Sequence, residues 1–224
     1  MDTKEAFMPL DLFEPELLDP ELAATLFTGE IGQILRHPLV HQVFYNPALN
    51  RICNRTLQQK KAAVIEASLV GDWGKYLALH EKPYRLQALW DIHENLTPEQ
   101  YWPLLADIWV GIENQWQYKS LLPQLFRAKP KRYEFIMTLE ERTILESYPE
   151  DLLTIYRGHQ VVNAQGWSWT FSPARAEWFA KRLAVGRPHG VTRGTVKRNS
   201  IIAFFDNRNE DEVVVNPRAV KPTS

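Results

Sequence analysis

The feature that most narrows what this chain can fold into is a change of punctuation at Tyr148-Pro149. Upstream, from about residue 14 to 147, the signals are those of helices. Thr97-Pro98-Glu99-Gln100 sets a capping hydroxyl before a proline at the first helical position and a glutamine at the third, and Thr138-Leu139-Glu140-Glu141 repeats the capping-box logic. A helix from about Asn50 to Val70 stops at Gly71-Asp72, and another runs from about Tyr84 to Asn95. Trp102, Trp109 and Trp116 recur every seventh residue, a spacing that drifts only about 20° per step on a helix and keeps three indoles on one face. An apolar stripe at helical spacing buries itself, so these tryptophans are expected in the core.

Downstream the texture is that of strands. Leu152-Leu153-Thr154-Ile155-Tyr156 is a short apolar, β-prone run closed by Arg157-Gly158. Ser172-Pro173 opens an amphipathic helix with Ala176, Phe179, Ala180 and Leu183 on its apolar face and Gly186 beyond its end. Three further strands are expected at about Gly190 to Val196, Ile201 to Phe205 and Glu212 to Val215, with turns at Asn199-Ser200 and over Asp206 to Asn209. A helical part over residues 1–150 followed by a strand-rich part over 151–224 predicts an α+β architecture.

Charge sharpens the division. The whole chain balances 26 Lys and Arg against 27 Asp and Glu, which excludes a generic polyanion binder on average, yet residues 151–224 carry net positive charge and residues 1–150 net negative. An anionic ligand therefore belongs to the second part. The single cysteine, Cys53, closes no intrachain disulfide and fits a reducing compartment. The opening residues, acidic and broken by Pro9 and Pro15, and the lack of any apolar run near the roughly 18 residues of a membrane span give a cytosolic reading with no membrane partner. The basic run Arg127, Lys129, Lys131, Arg132 is a solvated connector between helices or a modest nucleic-acid contact. His37 and His41 have a spacing zinc can use, but Pro38 lies between them and no carboxylate or thiolate companion is near in sequence, so no metal is expected.

Three elements of the basic part stand in a suggestive order: Tyr156-Arg157-Gly158 at a strand end, Gly166-Trp167-Ser168-Trp169-Thr170, in which Ser168 follows Arg157 by eleven residues, and Glu210-Asp211-Glu212 leading into Val213-Val214-Val215. Each alone is weak, since acid-x-acid triplets arise about three times by chance at this acidic content. Taken separately, Arg157 reads as a surface arginine, Ser168 as a strand-face hydroxyl, and Glu210 with Glu212 as a solvated hairpin edge. The order and strand context together are rarer.

In these three motifs the chain resembles the mono-ADP-ribosyltransferase family, in its arginine-serine-glutamate class. The resemblance covers about residues 152–217. It implies a small split β-sandwich behind the helical part and NAD as a substrate, with no metal. Arg157 would hold the dinucleotide's pyrophosphate or adjoining ribose, where a forked, permanently charged group suits an oxyanion. Gly158 would admit the nicotinamide amide close to the backbone, Ser168 would orient Glu212 and the ribose, and Thr170 would support that strand. Phe171, Trp167 or Trp169 could stack on nicotinamide, although strand alternation sends both tryptophans to the side opposite Ser168. Glu212 would accept a hydrogen bond from the ribose 2′-hydroxyl as positive charge builds on the sugar, as carboxylates do in glycoside hydrolysis. His159 and His189 flank the expected cleft. The step from Arg157 to Ser168 is too short for the helix that many bacterial toxins carry there, as in compact members.

The resemblance further implies that Glu210 selects the acceptor. A glutamate at this position goes with an arginine guanidinium, so the expected partner is a protein, in the setting of a toxin, phage effector or regulator. Phe204, Phe205 and Asp206 to Asn209 occupy the family's target-recognition turn. The alternatives are RNA or DNA as acceptor, favoured by the basic second part, and a non-catalytic interaction module on the same fold.

Overall fold

The computed structural model describes residues 16–30, 32–112, 115–160, 164–182, 184, 186–206 and 210–223. The chain divides into two compact units, Met1–Ala88 and Leu89–Ser224. The change of texture at Tyr148-Pro149 thus lies inside the second unit.

In the first unit, Asp19 caps a short helix α1 (Pro20–Ala23) by accepting from the Glu21 N–H. A three-stranded antiparallel sheet follows, in the order β1 (Leu26–Gly29), β2 (Gly32–Arg36), β3 (His41–Gln42). The expectation of helix throughout residues 14–147 is corrected here. Gly29 pairs with Gly32 to close a tight hairpin, and Gly32 takes φ 125°, a backbone conformation only glycine adopts easily. Against the sheet lies α2 (Asn50–Val70), which ends as expected at Gly71 in the left-handed conformation with φ 72°. Leu22, Leu35, Leu39, Val40, Cys53 and Leu57 form the core of this unit. Burial pushes the Cys53 thiol up from its ordinary value, so it behaves as a small apolar group. His37 is also buried. Its Nδ1 accepts from the Leu39 N–H and its Nε2 lies 3.2 Å from the Glu21 carboxylate. The unit is completed by α3 (Trp73–Leu79), and the division between units falls within α4 (Arg85–Ile92).

The second unit opens with helices. At α5 (Pro98–Gly111) the Thr97 N–H donates to Gln100 Oε1 at 3.0 Å; at α8 (Leu139–Ser147) Glu141 N–H donates to Thr138 Oγ1 at 3.2 Å and Thr138 N–H to Glu141 Oε2 at 2.8 Å. Both capping boxes read from the sequence are therefore formed. Between them come the single turns α6 (Leu122–Leu125) and α7 (Arg132–Phe135), the basic run falling on and before α7. Trp102 and Trp109 are fully buried on α5, each contributing on the order of 4–6 kcal/mol of gross apolar burial. Trp116 departs from the expected stripe. α5 ends at Gly111, and Trp116 sits on a separate 3₁₀ turn (Gln115–Tyr118), 58% exposed.

The sheet of this unit has six antiparallel strands in the order β7-β8-β5-β4-β6-β9, where β4 is Leu152–Gln160, β5 Ser168–Thr170, β6 His189–Lys197, β7 Ile201–Phe205, β8 Glu212–Val215 and β9 Lys221–Thr223. β9 is not among the expected strands, and β4 does not end at Arg157-Gly158 as expected: pairing with β6 carries it through both residues to Gln160. Val213, Val214, Val215 and all of β7 are buried, which is why these strands read as continuous apolar runs. Helix α9 (Pro173–Arg182) lies on β4 with Ala176 and Ala180 buried. Leu183, expected on its apolar face, lies outside the described residues. The mixture of helix with two antiparallel sheets is α+β, as expected.

Candidate functional site

Strands β4, β5 and β8 are neighbours, and one cross-strand row runs Tyr156–Thr170–Glu212. Arg157, Ser168 and Glu212 sit on or within two residues of that row. The three motifs, far apart in the chain, are thus brought to one place by antiparallel pairing. They line a cleft of about 1030 Å³, at the upper end of the roughly 300–1,000 Å³ of small-molecule sites. Among the described residues, Lys119, Arg127, Arg157, Arg182 and Arg218 line it together with the carboxylates Glu210 and Glu212. This balance suits a ligand with more than one negative charge.

Glu212 is the best-connected group. Its carboxylate accepts from the Ser168 hydroxyl and, at 3.0 Å, from the indole Nε1 of Trp109 on α5. Burial pushes its pKa up from the ordinary carboxylate value, and the charge of Glu210 adds to that; the Ser168 and Trp109 donors and the nearby Arg157 oppose it without winning. Arg157 shows the mirror effect. Burial pulls its guanidinium down to about 10, opposed by Glu212, so it stays charged at neutral pH. Its Nη1 donates to the Ser168 carbonyl, which ties β4 to β5 where the ladder between them narrows to a single pair.

Gly166 explains how the guanidinium fits. A Cβ there would stand 2.4 Å from Arg157 Cζ, so the guanidinium fills the space a side chain would take. Thr170 is buried; its Oγ1 donates to the Glu210 carbonyl at 2.9 Å and accepts from the Ser172 N–H at 3.1 Å. Together with the Phe171 N–H donating to Asp211 O at 3.3 Å, this pins the acidic segment to the end of β5. Asp211 takes φ 47°, left-handed for a non-glycine residue, between the two glutamates.

Three expectations change. Gly158 lines the cleft, but what requires glycine there is α9: a Cβ would meet the Ala176 carbonyl oxygen at 1.9 Å and the Ala180 nitrogen at 2.6 Å. Phe171 packs against Tyr148 at 4.5 Å and Phe204 at 5.7 Å between ring centroids, away from the cleft lining. Phe204 and Phe205 are buried in β7 and present no target-recognition surface; Asn207 and Asn209 lie outside the described residues. Trp167 and Trp169 both line the cleft: Trp169 is buried, with its indole donating to Gly166 O at 2.8 Å, and half-buried Trp167 stacks on Phe126, with centroids 5.3 Å apart. His159 lines the cleft, and His189 is exposed at the start of β6.

Sequence reasoning missed Trp109 and Trp116 as members of the site and gave Gly166, though part of the second element, no role of its own. Nothing in a helical tryptophan's spacing marks its N–H as facing a carboxylate a hundred residues away. Trp116 carried a usable signal, since the helix needed to bury it would have had to pass Gly111.

Among the described residues, no group of three or more His, Cys, Asp or Glu side chains could hold a metal ion, and no helix is long and apolar enough to cross a membrane. Comparisons with models of protein families, with curated proteins and with solved structures give no match to this chain.

Proposed function

We propose that this protein is an NAD-dependent mono-ADP-ribosyltransferase whose chemistry is carried by Glu212. The observation that carries the reading is the convergence of Arg157, Ser168 and Glu212 from three neighbouring strands on one cation-lined cleft. Chance occurrences of three short motifs have no reason to meet.

In the proposed reaction the bond between nicotinamide nitrogen and ribose C1′ breaks, its electron pair leaves with the nicotinamide, and positive charge develops on the sugar. Glu212, held by Ser168 and Trp109, faces that charge through the ribose 2′-hydroxyl, an interaction that strengthens as the bond lengthens. Arg157 and the other cations of the cleft hold the diphosphate, each charge-assisted bond contributing roughly 1.5–3 kcal/mol. The acceptor nucleophile then bonds to C1′ and its proton is released; Glu210, lining the cleft beside Glu212, orients a guanidinium for that step. Protein arginine is the proposed acceptor. Nucleic acid is the second reading, favoured by Lys119, Arg127, Arg182 and Arg218 on the cleft walls.

The test is incubation of lysate with tagged NAD, with wild type beside Glu212→Gln and Glu210→Gln, followed by nuclease or protease treatment of the labelled product. Glu212→Gln is expected to suppress both transfer and nicotinamide release, with a loss on the order of a hundredfold to a thousandfold for a group acting in the transition state. Glu210→Gln is expected to abolish transfer while leaving NAD hydrolysis. Protease-sensitive label supports a protein acceptor and nuclease-sensitive label the second reading. No nicotinamide release by wild type, with Glu212→Gln indistinguishable from it, would leave an interaction module in place of an enzyme.

A further inference from the structure

The motifs that suggest the reaction all lie after residue 150, yet the carboxylate they converge on is also held from α5. The Trp109 Nε1–H donates to Glu212 Oε1 at 3.0 Å. The indole itself is 1% exposed and fixed by packing: its ring meets Phe126 edge-on at 5.2 Å, and Phe126 in turn stacks on Trp167, whose carbonyl accepts from the Val215 N–H of β8 at 2.9 Å. The donor is therefore rigid, and the chain of contacts that fixes it returns to the strand that carries Glu212. We infer that Trp109 is a positioning residue whose indole N–H orients the Glu212 carboxylate in the cleft and favours its charged form over the neutral acid, so that the helical layer is part of the catalytic apparatus. This rests on the function proposed above.

The chemistry of the donor supports the role. An indole N–H donates and cannot accept, so it bonds a carboxylate oxygen without competing for the proton, and it serves the ionised form better than the neutral acid. Among the described residues, the groups acting on Glu212 come from four elements or segments. Arg157 from β4, Ser168 from β5 and Trp109 from α5 favour its charge; Glu210 and burial oppose it. His159 of β4 and the remaining cations line the same cleft. Removing one of the favourable contacts shifts the balance toward the protonated acid, which cannot stabilise a developing positive charge.

The experiment compares wild type with Trp109→Phe, which keeps an aromatic ring in the same core position, and with Trp109 replaced by its benzothienyl isostere, which keeps the shape and lacks the N–H. Two readouts are taken. The first is the titration of Glu212 followed by carboxyl ¹³C NMR in the protein alone, with the signal identified by its absence in Glu212→Gln. Both variants are expected to titrate at higher pH than wild type. The second is nicotinamide release as a function of pH at saturating NAD: kcat is expected to fall roughly tenfold or more, KM by less than about threefold in either direction, and the acid limb to move to higher pH. An unmoved Glu212 titration in the isostere overturns the inference, whatever the activity. A wild type that releases no nicotinamide overturns the proposed function, and the titration then still decides whether Trp109 governs the ionisation of Glu212. A loss of activity in Trp109→Phe that the isostere does not share assigns the residue to packing and overturns the inference too.

Discussion

Gly158 separates two explanations of one motif position, and Gly158→Ala tests them. The resemblance assigns this glycine to the approach of nicotinamide; the structure gives it to α9. A Cβ at 158 would lie 1.9 Å from the Ala176 carbonyl oxygen and 2.6 Å from the Ala180 nitrogen, both backbone atoms of α9. Carbon and oxygen rest at about 3.3 Å or more, so the helix would have to retreat by about 1.4 Å at this crossing. Neither contact is the end of a flexible side chain, so no rotamer change relieves the clash. Retreat would also lift Ala176 and Ala180, both buried, from the sheet. Overpacking of this kind costs about 1–3 kcal/mol, and loss of the interface adds to it, giving a destabilisation of about 3 kcal/mol. At roughly 2–4 °C per kcal/mol for a domain of this size, melting should fall by about 6–12 °C. The assay is thermal unfolding followed by far-UV circular dichroism, beside NAD binding. A variant that melts within about 1 °C of wild type but has lost NAD binding would refute the packing argument and return the glycine to the ligand.

Two further outcomes follow from the same cleft. Gly166→Ala puts a methyl 2.4 Å from Arg157 Cζ, but the obstacle is a side chain that can swing away, so the fold should survive with melting changed by less than about 2 °C while NAD binding weakens roughly tenfold to a hundredfold as the guanidinium is displaced; isothermal titration checks this, and unchanged affinity would contradict it. For Glu212→Gln the sign follows from a folded pKa raised above the unfolded value of 4.5. The carboxyl's contribution to stability is fully present below the unfolded pKa and is lost as pH rises through the folded one. A permanently neutral glutamine escapes that loss, so the melting temperature of Glu212→Gln relative to wild type should be more favourable at pH 7.5 than at pH 4, and a difference that is constant or reversed would contradict the burial argument.

Much of the fold was legible because its local signals agree with its tertiary use. Thr97 and Thr138 begin helices, Gly71 ends one, and Val213 to Val215 are buried on both faces. What escaped was set by tertiary contact. The hairpin at Leu26–Arg36 is short and only partly buried, so its alternation is weak against a helical surround, and only the paired glycines 29 and 32 mark it. β9 has no buried residue to give it a pattern. In the site, the sequence motifs located Arg157, Ser168, Glu210 and Glu212, because strand pairing brings whole motifs together. They could not locate Trp109, whose part depends on one N–H vector, nor distinguish Gly158 beneath a helix from Gly166 beneath a guanidinium. The identity of a glycine is visible in sequence, whereas the atom that excludes its side chain is a property of the fold.

The electrostatics of the cleft argue for function over stability. A buried ion pair kept for the fold would be expected to hold its carboxylate below the ordinary range, because attraction and hydrogen bonds would exceed the cost of burial. Here the Ser168 hydroxyl, the Trp109 indole and the Arg157 charge together fail to do so, and Glu210 makes the balance worse. Arg157 likewise is pulled down by burial despite its acidic neighbour. Apolar residues of similar volume commonly replace such groups with no loss of stability, and often with a gain. The left-handed Asp211 adds backbone strain in the same few residues. Groups that cost the folded state stability, gathered from three strands and a helix around one cleft, would be explained by the proposed reaction, in which a diphosphate would lie opposite the arginine and a sugar would develop positive charge opposite the glutamate.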